Sequence, residues 1–244
     1  MRRIVRLFRL SVSFLTPFPL DSGEYRPGDL AQSAVFFPLV GFGIGWVLFL
    51  VHSLTFAKTE DTLLSAFATL FSWIFLTRGL HVDGVADVCD ALWAEREKRW
   101  DILKDPRVGT FGVLGISFVL GAKGVLLARL SGGAFPLVLA PLFGRTVTLL
   151  FGAFFKAPPR ETPGLAEEFV GRIPRSVFFL WALGIGVLSF FVLGWPGVLK
   201  TLVSFGIMFT LGKGMARVFG GVNGDVLGAG VEWGEVVWLF LWGM

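Results

Sequence analysis

Three aspartates, Asp83, Asp87 and Asp90, follow a long apolar run within the string His81-Val-Asp-Gly-Val-Ala-Asp-Val-Cys-Asp90, and no Lys or Arg occurs between Arg78 and Arg96. On a helix, 100° per residue gathers the three acids into an arc of about 60°, with His81 nearly opposite. Ionised carboxylates so placed repel by about 3 kcal/mol per neighbouring pair at ~6 Å and an effective dielectric of ~20. Beside a membrane, such a group calls for a divalent cation or for raised pKa values. Oxygen-only donors favour Mg²⁺ or Mn²⁺ over zinc. A solvated acidic helix end satisfies the spacing equally well. Gly84 weakens a regular helix by about 1 kcal/mol. Cys89 projects elsewhere and reads as a small core residue.

Two further segments carry polar chemistry. In Asp101-Ile-Leu-Lys-Asp105-Pro-Arg107-Val-Gly-Thr-Phe-Gly112, Asp101 and Asp105 stand one turn apart. Pro106 ends the helix. Lys104 and Arg107 bring positive charge, and Gly109 and Gly112 admit a ligand close to the backbone. Carboxylates with nearby Lys and Arg suit a phosphoanhydride; alone, the segment equally describes a charged loop entering a membrane helix. In Gly220-Gly-Val-Asn-Gly224-Asp225-Val-Leu-Gly228 through Glu235, glycines surround Asp225, and Asp225, Glu232 and Glu235 are spaced to share a helix face. Within an apolar run, Arg145 needs either a partner or an anionic ligand. Lys123 is similar, with snorkelling as the alternative.

The elements that position these groups are membrane spans. Of 244 residues, 54% are hydrophobic and 16% charged, with mean hydropathy +0.73. The apolar runs are continuous rather than alternating, so the fold class is all-α, a polytopic membrane bundle. About seven spans are expected, near 31–56, 62–81, 110–130, 134–155, 176–195, 197–217 and 229–243. Arg2, Arg3, Arg6 and Arg9 recur at helical spacing before them, which predicts an amphipathic helix on the membrane surface rather than a cleaved signal. The whole chain, 1–244, reads as one membrane-embedded domain.

Cations orient the spans. With the N-terminus inside, the inner segments hold the N-terminal arginines, then Arg96, Lys98, Arg99, Lys104 and Arg107, then Lys156, Arg160, Arg172 and Arg175. The outer turns hold only Lys58, Arg129 and Lys200. This positive-inside pattern also explains the pI near 9.6 without nucleic acid. The longer polar segments 82–109, 156–175 and 211–228 then share the cytoplasmic side of the cell membrane, open to cytosolic substrates.

The motifs resemble one family, the adenosylcobinamide-GDP ribazoletransferases or cobalamin-5′-phosphate synthases. The resemblance covers nearly the full length: Phe14-Leu-Thr-Pro-Phe-Pro19, Phe37-Pro-Leu-Val-Gly41, the His81–Asp90 string, Lys104-Asp-Pro-Arg-Val-Gly-Thr-Phe-Gly112, and Gly224-Asp-Val-Leu-Gly-Ala229 with Glu232 and Glu235. H-x-D-G-x-A-D-x-x-D followed by D-x-R-x-G-T-x-G is highly specific. Ala91 replaces a usual glycine, and Asn223 and Val226 replace two usual threonines, which bears on those hydroxyls as ligands.

The resemblance implies an integral membrane enzyme of the EC 2.7.8 type. It would join adenosylcobinamide-GDP to α-ribazole or its 5′-phosphate, giving adenosylcobalamin or its 5′-phosphate and GMP, with Mg²⁺ as cofactor. Asp83, Asp87 and Asp90 would hold the metal. Asp105 or Asp225 would serve as base. His81, Lys104, Arg107, Arg145 and Gly224 would bind substrate. Membrane lipid surrounds such an enzyme, and a homo-oligomer or association with other corrinoid-pathway enzymes is compatible with it. Two other classes share part of this pattern. A lipid-type CDP-alcohol phosphotransferase shares a D-x-x-D segment, but Glu95 breaks its longer pattern and the His81 string is foreign to it. A transporter would distribute polar residues to both faces.

Overall fold

In the computed structural model, residues 2–20, 23–130, 135–159, 164, 168 and 170–243 are described. Among them every regular element is a helix. Helix α1, Arg2–Leu15, is amphipathic: Leu7, Ser11 and Leu15 are buried and Arg3 is exposed. It lies against the short helix α2, Asp29–Ser33. Arg6 clasps Asp29 through two bonds of 2.7 and 2.8 Å, Arg3 donates to Gln32 at 2.5 Å, and Ser11 Oγ donates to the Ser33 carbonyl at 2.8 Å. The N-terminal helix is thus tied to the bundle by specific contacts as well as by its apolar face.

A 3₁₀ turn leads into α3, Phe37–Thr59. Glu60 turns the chain, and Asp61 caps α4, Thr62–Thr77, accepting from the N–H groups of Leu63 and Leu64. The span expected over 62–81 breaks here. Arg78 and Gly79 both have positive φ (54° and 65°), and the chain turns by 89° into α5, Leu80–Leu92. Consecutive left-handed residues end a helix and redirect it. The Arg78 guanidinium donates to the Phe14 carbonyl at 3.0 Å, which ties the bend to the end of α1.

Five long helices follow, separated from α5 by the one-turn helix α6, Arg99–Ile102. They are α7, Thr110–Ala128; α8, Phe135–Phe154; α9, Arg175–Leu193; α10, Trp195–Val218; and α11, Gly224–Trp242. Helix α8 is the axis. Every residue from Leu137 to Gly152 is buried, between α3 on one side and α11 on the other. Helices α9 and α10 sit outside, and they present Phe179, Leu183, Phe191 and Leu202 outward, as a lipid-facing surface does.

Among the described residues five helices are long and apolar enough to span a membrane, or six if the bent α4–α5 pair counts as one span. The expected seventh, 229–243, differs. Helix α11 begins five residues earlier, at Gly224, and carries Asp225, Glu232 and Glu235 within its 19 residues. Its acids face the interior rather than lipid, as intramembrane acids must.

Candidate active site

The acids of α5 meet α11 at Gly84. A methyl group there would lie 2.7 Å from the Asp225 carbonyl oxygen and 3.3 Å from the Ala229 nitrogen. Only glycine allows this backbone approach. It brings Asp87, half-buried, within electrostatic reach of Asp225, Asp83 and Asp90. Among the described residues, Asp83 and Asp87 have neither an ion pair nor a hydrogen-bond partner for their carboxylates.

Asp90, third in the spacing, has a separate task. Its Oδ2 accepts from the Gly109 N–H at 2.7 Å and its Oδ1 from the Gly112 N–H at 2.8 Å. It therefore caps the start of α7 from another helix, where orphan N–H groups and the helix dipole favour an anion. A Cβ at Gly109 would stand 2.6 Å from Oδ1. The glycines expected to admit a ligand admit Asp90 instead. Cys89 packs on Gly115 of α7, a small residue at a helix crossing.

The loop before α7 divides in two. Lys104 lines a cavity that Asp83 and Asp225 also line. Asp105 does not. It turns to Arg107, accepting from its backbone N–H at 3.0 Å and from its guanidinium at 2.9 and 2.6 Å. That pairing pulls the Asp105 carboxyl down to about 2, and it lifts Arg107 above its ordinary value. A carboxylate held so acidic, and not among the residues that line the cavity, is a poor proton acceptor. The two candidates for the base thus separate, and only Asp225 reaches the cavity.

Asp225 sits in the first turn of α11. Asn223 caps that helix, accepting from the Val226 N–H at 3.0 Å, and donates its amide to Asp225 Oδ2 at 2.6 Å. Asn223 therefore does without a hydroxyl what a threonine does at an N-cap. Val226 is buried, so a hydroxyl at that position has no counterpart here.

These pieces enclose a cavity of about 440 Å³. Its polar wall is His81, Asp83, Lys104, Thr148, Asn223 and Asp225; Phe14, Phe37 and Leu227 supply an apolar side, and Gly224 lies at its edge. His81 and Asp83 point apart around the helix axis yet both reach the cavity, because it lies over the first turn of α5. Thr148 escaped the sequence reading. A threonine inside an apolar run carries little signal, though it lies three residues from Arg145, on the same side of α8.

Arg145 was expected to meet phosphate. It is fully buried and instead pairs with Glu235. Glu235 also pairs with Lys123, whose Nζ donates to Glu232 at 2.6 Å and stands 4.3 Å from the centre of the Trp73 ring. Lys123 does not snorkel; it is 2% exposed. Two cations and two carboxylates thus balance inside the bundle, which avoids the several-kcal/mol cost of a lone buried charge. The Arg145 Nη2 lies 3.5 Å from His81 Nδ1, joining this cluster to the cavity wall.

A metal would find oxygen donors on Asp83 and Asp87, whose carboxylates have no partner among the described residues. Among the described residues no group of three His, Cys, Asp or Glu is placed to hold a metal ion by itself. Magnesium seldom needs one, because it keeps several waters and is held by one or two carboxylates with substrate phosphates. The donor set fits that use. Arg160, counted with the inner cations above, lies outside the described residues.

The fold and site define a class: an all-α membrane protein with an acid-lined cavity at one end of its bundle. The chain belongs to the cobalamin-5-phosphate synthase family, whose model matches residues 7–243. It is similar to an adenosylcobinamide-GDP ribazoletransferase of Pseudomonas fluorescens, 35% identical over 92% of this chain and 93% of the relative. It is 36% identical to that of Pseudomonas entomophila over the same shares. It is 30% identical to that of Clostridioides difficile over 96% of each. No solved structure matches it.

Proposed function

We infer that this chain is an enzyme that transfers the corrinoid of adenosylcobinamide-GDP to α-ribazole or its 5′-phosphate, releasing GMP. The observation that carries the reading is the cavity itself, lined by Asp83, Asp225 and Lys104 in a chain of this family. The ribose hydroxyl of the ribazole attacks the phosphorus next to the corrinoid. A new P–O bond forms, the P–O bond to GMP breaks, and the hydroxyl proton passes to a carboxylate. Asp225 is that base: it lines the cavity, and Asn223 orients it. Lys104 binds phosphate oxygens as a point charge. Phe14 and Phe37 offer apolar surface to the flat parts of the substrates.

Asp83 and Asp87 would hold Mg²⁺, which supplies charge neutralisation to the diphosphate as GMP leaves. Asp90 acts beside them by fixing the start of α7. The cavity faces the cytoplasm of the cell membrane, a placement supported by the cation excess in the segments that build it. The deciding experiment is GMP release from adenosylcobinamide-GDP and α-ribazole by membrane-inserted protein, with and without Mg²⁺. Turnover that requires the metal is expected. No turnover, or turnover indifferent to chelation, overturns the respective half of the reading.

A further inference from the structure

The cavity and the buried charge cluster meet at one side chain. His81 lines the cavity, and its Nδ1 lies 3.5 Å from Arg145 Nη2. A guanidinium has donors and no acceptor. Nδ1 must therefore receive, and the ring proton resides on Nε2. Nε2 has no hydrogen-bond partner among the described residues. Nor is it one of the sealed, unpartnered polar atoms, which are Trp73 Nε1, Arg145 Nε and Trp242 Nε1. The Nε2 edge therefore opens to the cavity. Behind it, Arg145 is fixed by Glu235, Glu235 by Lys123, and Lys123 by Glu232.

We propose that the buried cluster is a positioning device for His81: Arg145 holds the ring as the Nε2–H tautomer, so that His81 donates a hydrogen bond to a phosphoryl oxygen bound beside Asp83 and Asp225. The proposal rests on the transferase reading for its ligand class, an anionic phosphoryl oxygen. The ring's one available lone pair faces Arg145, so His81 does not take the proton of the attacking hydroxyl. Carboxylates in the cavity wall only accept; His81 supplies a donor where negative charge gathers on phosphorus-bound oxygen. Arg145 touches no substrate and is a positioning residue.

The first test needs no turnover. The chain has two histidines, and in the second, His52, Nε2 lies 3.3 Å from the Leu127 carbonyl. Histidine-selective ¹⁵N NMR of the full-length protein at neutral pH, with the H81Q variant for assignment, reads the tautomer directly. Protonated Nε2 with bare Nδ1 is expected. A ring protonated on Nδ1, alone or with Nε2, overturns the proposal whether or not the protein is a transferase. Arg145→Met is expected to mix the two tautomers; an unchanged signal in that variant removes Arg145 from the account, and if it does not fold the wild-type spectrum decides.

The second test is kinetic. Glutamine carries an amide N–H close to the place of Nε2, so His81→Gln should retain kcat within about tenfold, whereas His81→Asn and His81→Ala lose roughly a hundredfold, the usual effect of one lost transition-state donor. His81→Gln as impaired as His81→Ala overturns the donor role.

Discussion

Helix α11 carries one stripe of acids that serves two regions. Asp225, about 10 Å along the axis from Glu232 at 1.5 Å per residue, faces the cavity with Asp83 and Asp87 nearby. Glu232 and Glu235 face Lys123 and Arg145. The second group is answered within the chain, two charges against two. Asp83 and Asp87 have no cation of the chain paired with them among the described residues. The difference separates an internal clamp from a pair of acids that the described residues leave unanswered. It also explains why the arginine that looked like a phosphate contact belongs to the clamp.

Substitutions that split the two regions test this contrast. The largest effect is expected at the cavity. Asp225→Asn or Asp83→Asn should lower the rate of GMP release by about a thousandfold, on the scale of losing a metal or base contribution, while thermal unfolding in detergent is unchanged or slightly raised, since a repulsive charge is removed. A parallel loss of unfolding temperature would make these acids structural. In the clamp the signs reverse. Lys123→Met leaves Glu232 and part of Glu235 uncompensated, and should cost about 3–5 kcal/mol of stability, read as a lower unfolding temperature at unchanged KM in the protein that remains folded.

A smaller effect falls between the regions. Asp90→Ala removes the remote cap of α7 and should cost about 1–2 kcal/mol, seen as earlier hydrogen exchange at the start of α7, with activity reduced through displacement of the 104–112 segment. Asp105→Asn should matter least, changing the rate less than about threefold, as exposed pairs usually do. The Asp105 carboxyl, held near 2 by Arg107, lies below its ordinary value. Its contact with Arg107 is therefore complete at neutral pH and fades only as pH falls toward 2. A rate that titrates between pH 5 and 8 and loses that dependence in Asp105→Asn would restore Asp105 as the base.

Much of this was legible from residues alone. The apolar runs and the helix over the His81–Asp90 string follow from local pattern. The converging polar segments follow from alternation of the spans. Three things do not. The break after Thr77 depends on Arg78 taking a left-handed conformation, for which an arginine gives no sign. The separation of Asp90 from its two neighbours depends on where α7 begins in space, and helical spacing alone places all three on one face. The pairing of Arg145 with Glu235 joins residues 90 positions apart, and no periodicity connects them.

The central claim is that the α5 acids Asp83 and Asp87, and not the clamp, receive an external cation. Mn²⁺ binding followed by EPR, with GDP present to complete the metal's shell, tests it most directly. The account predicts one nucleotide-linked site that disappears in the Asp83→Asn/Asp87→Asn double variant and persists in Glu232→Gln. Equal binding in the double variant and the wild-type chain would contradict it.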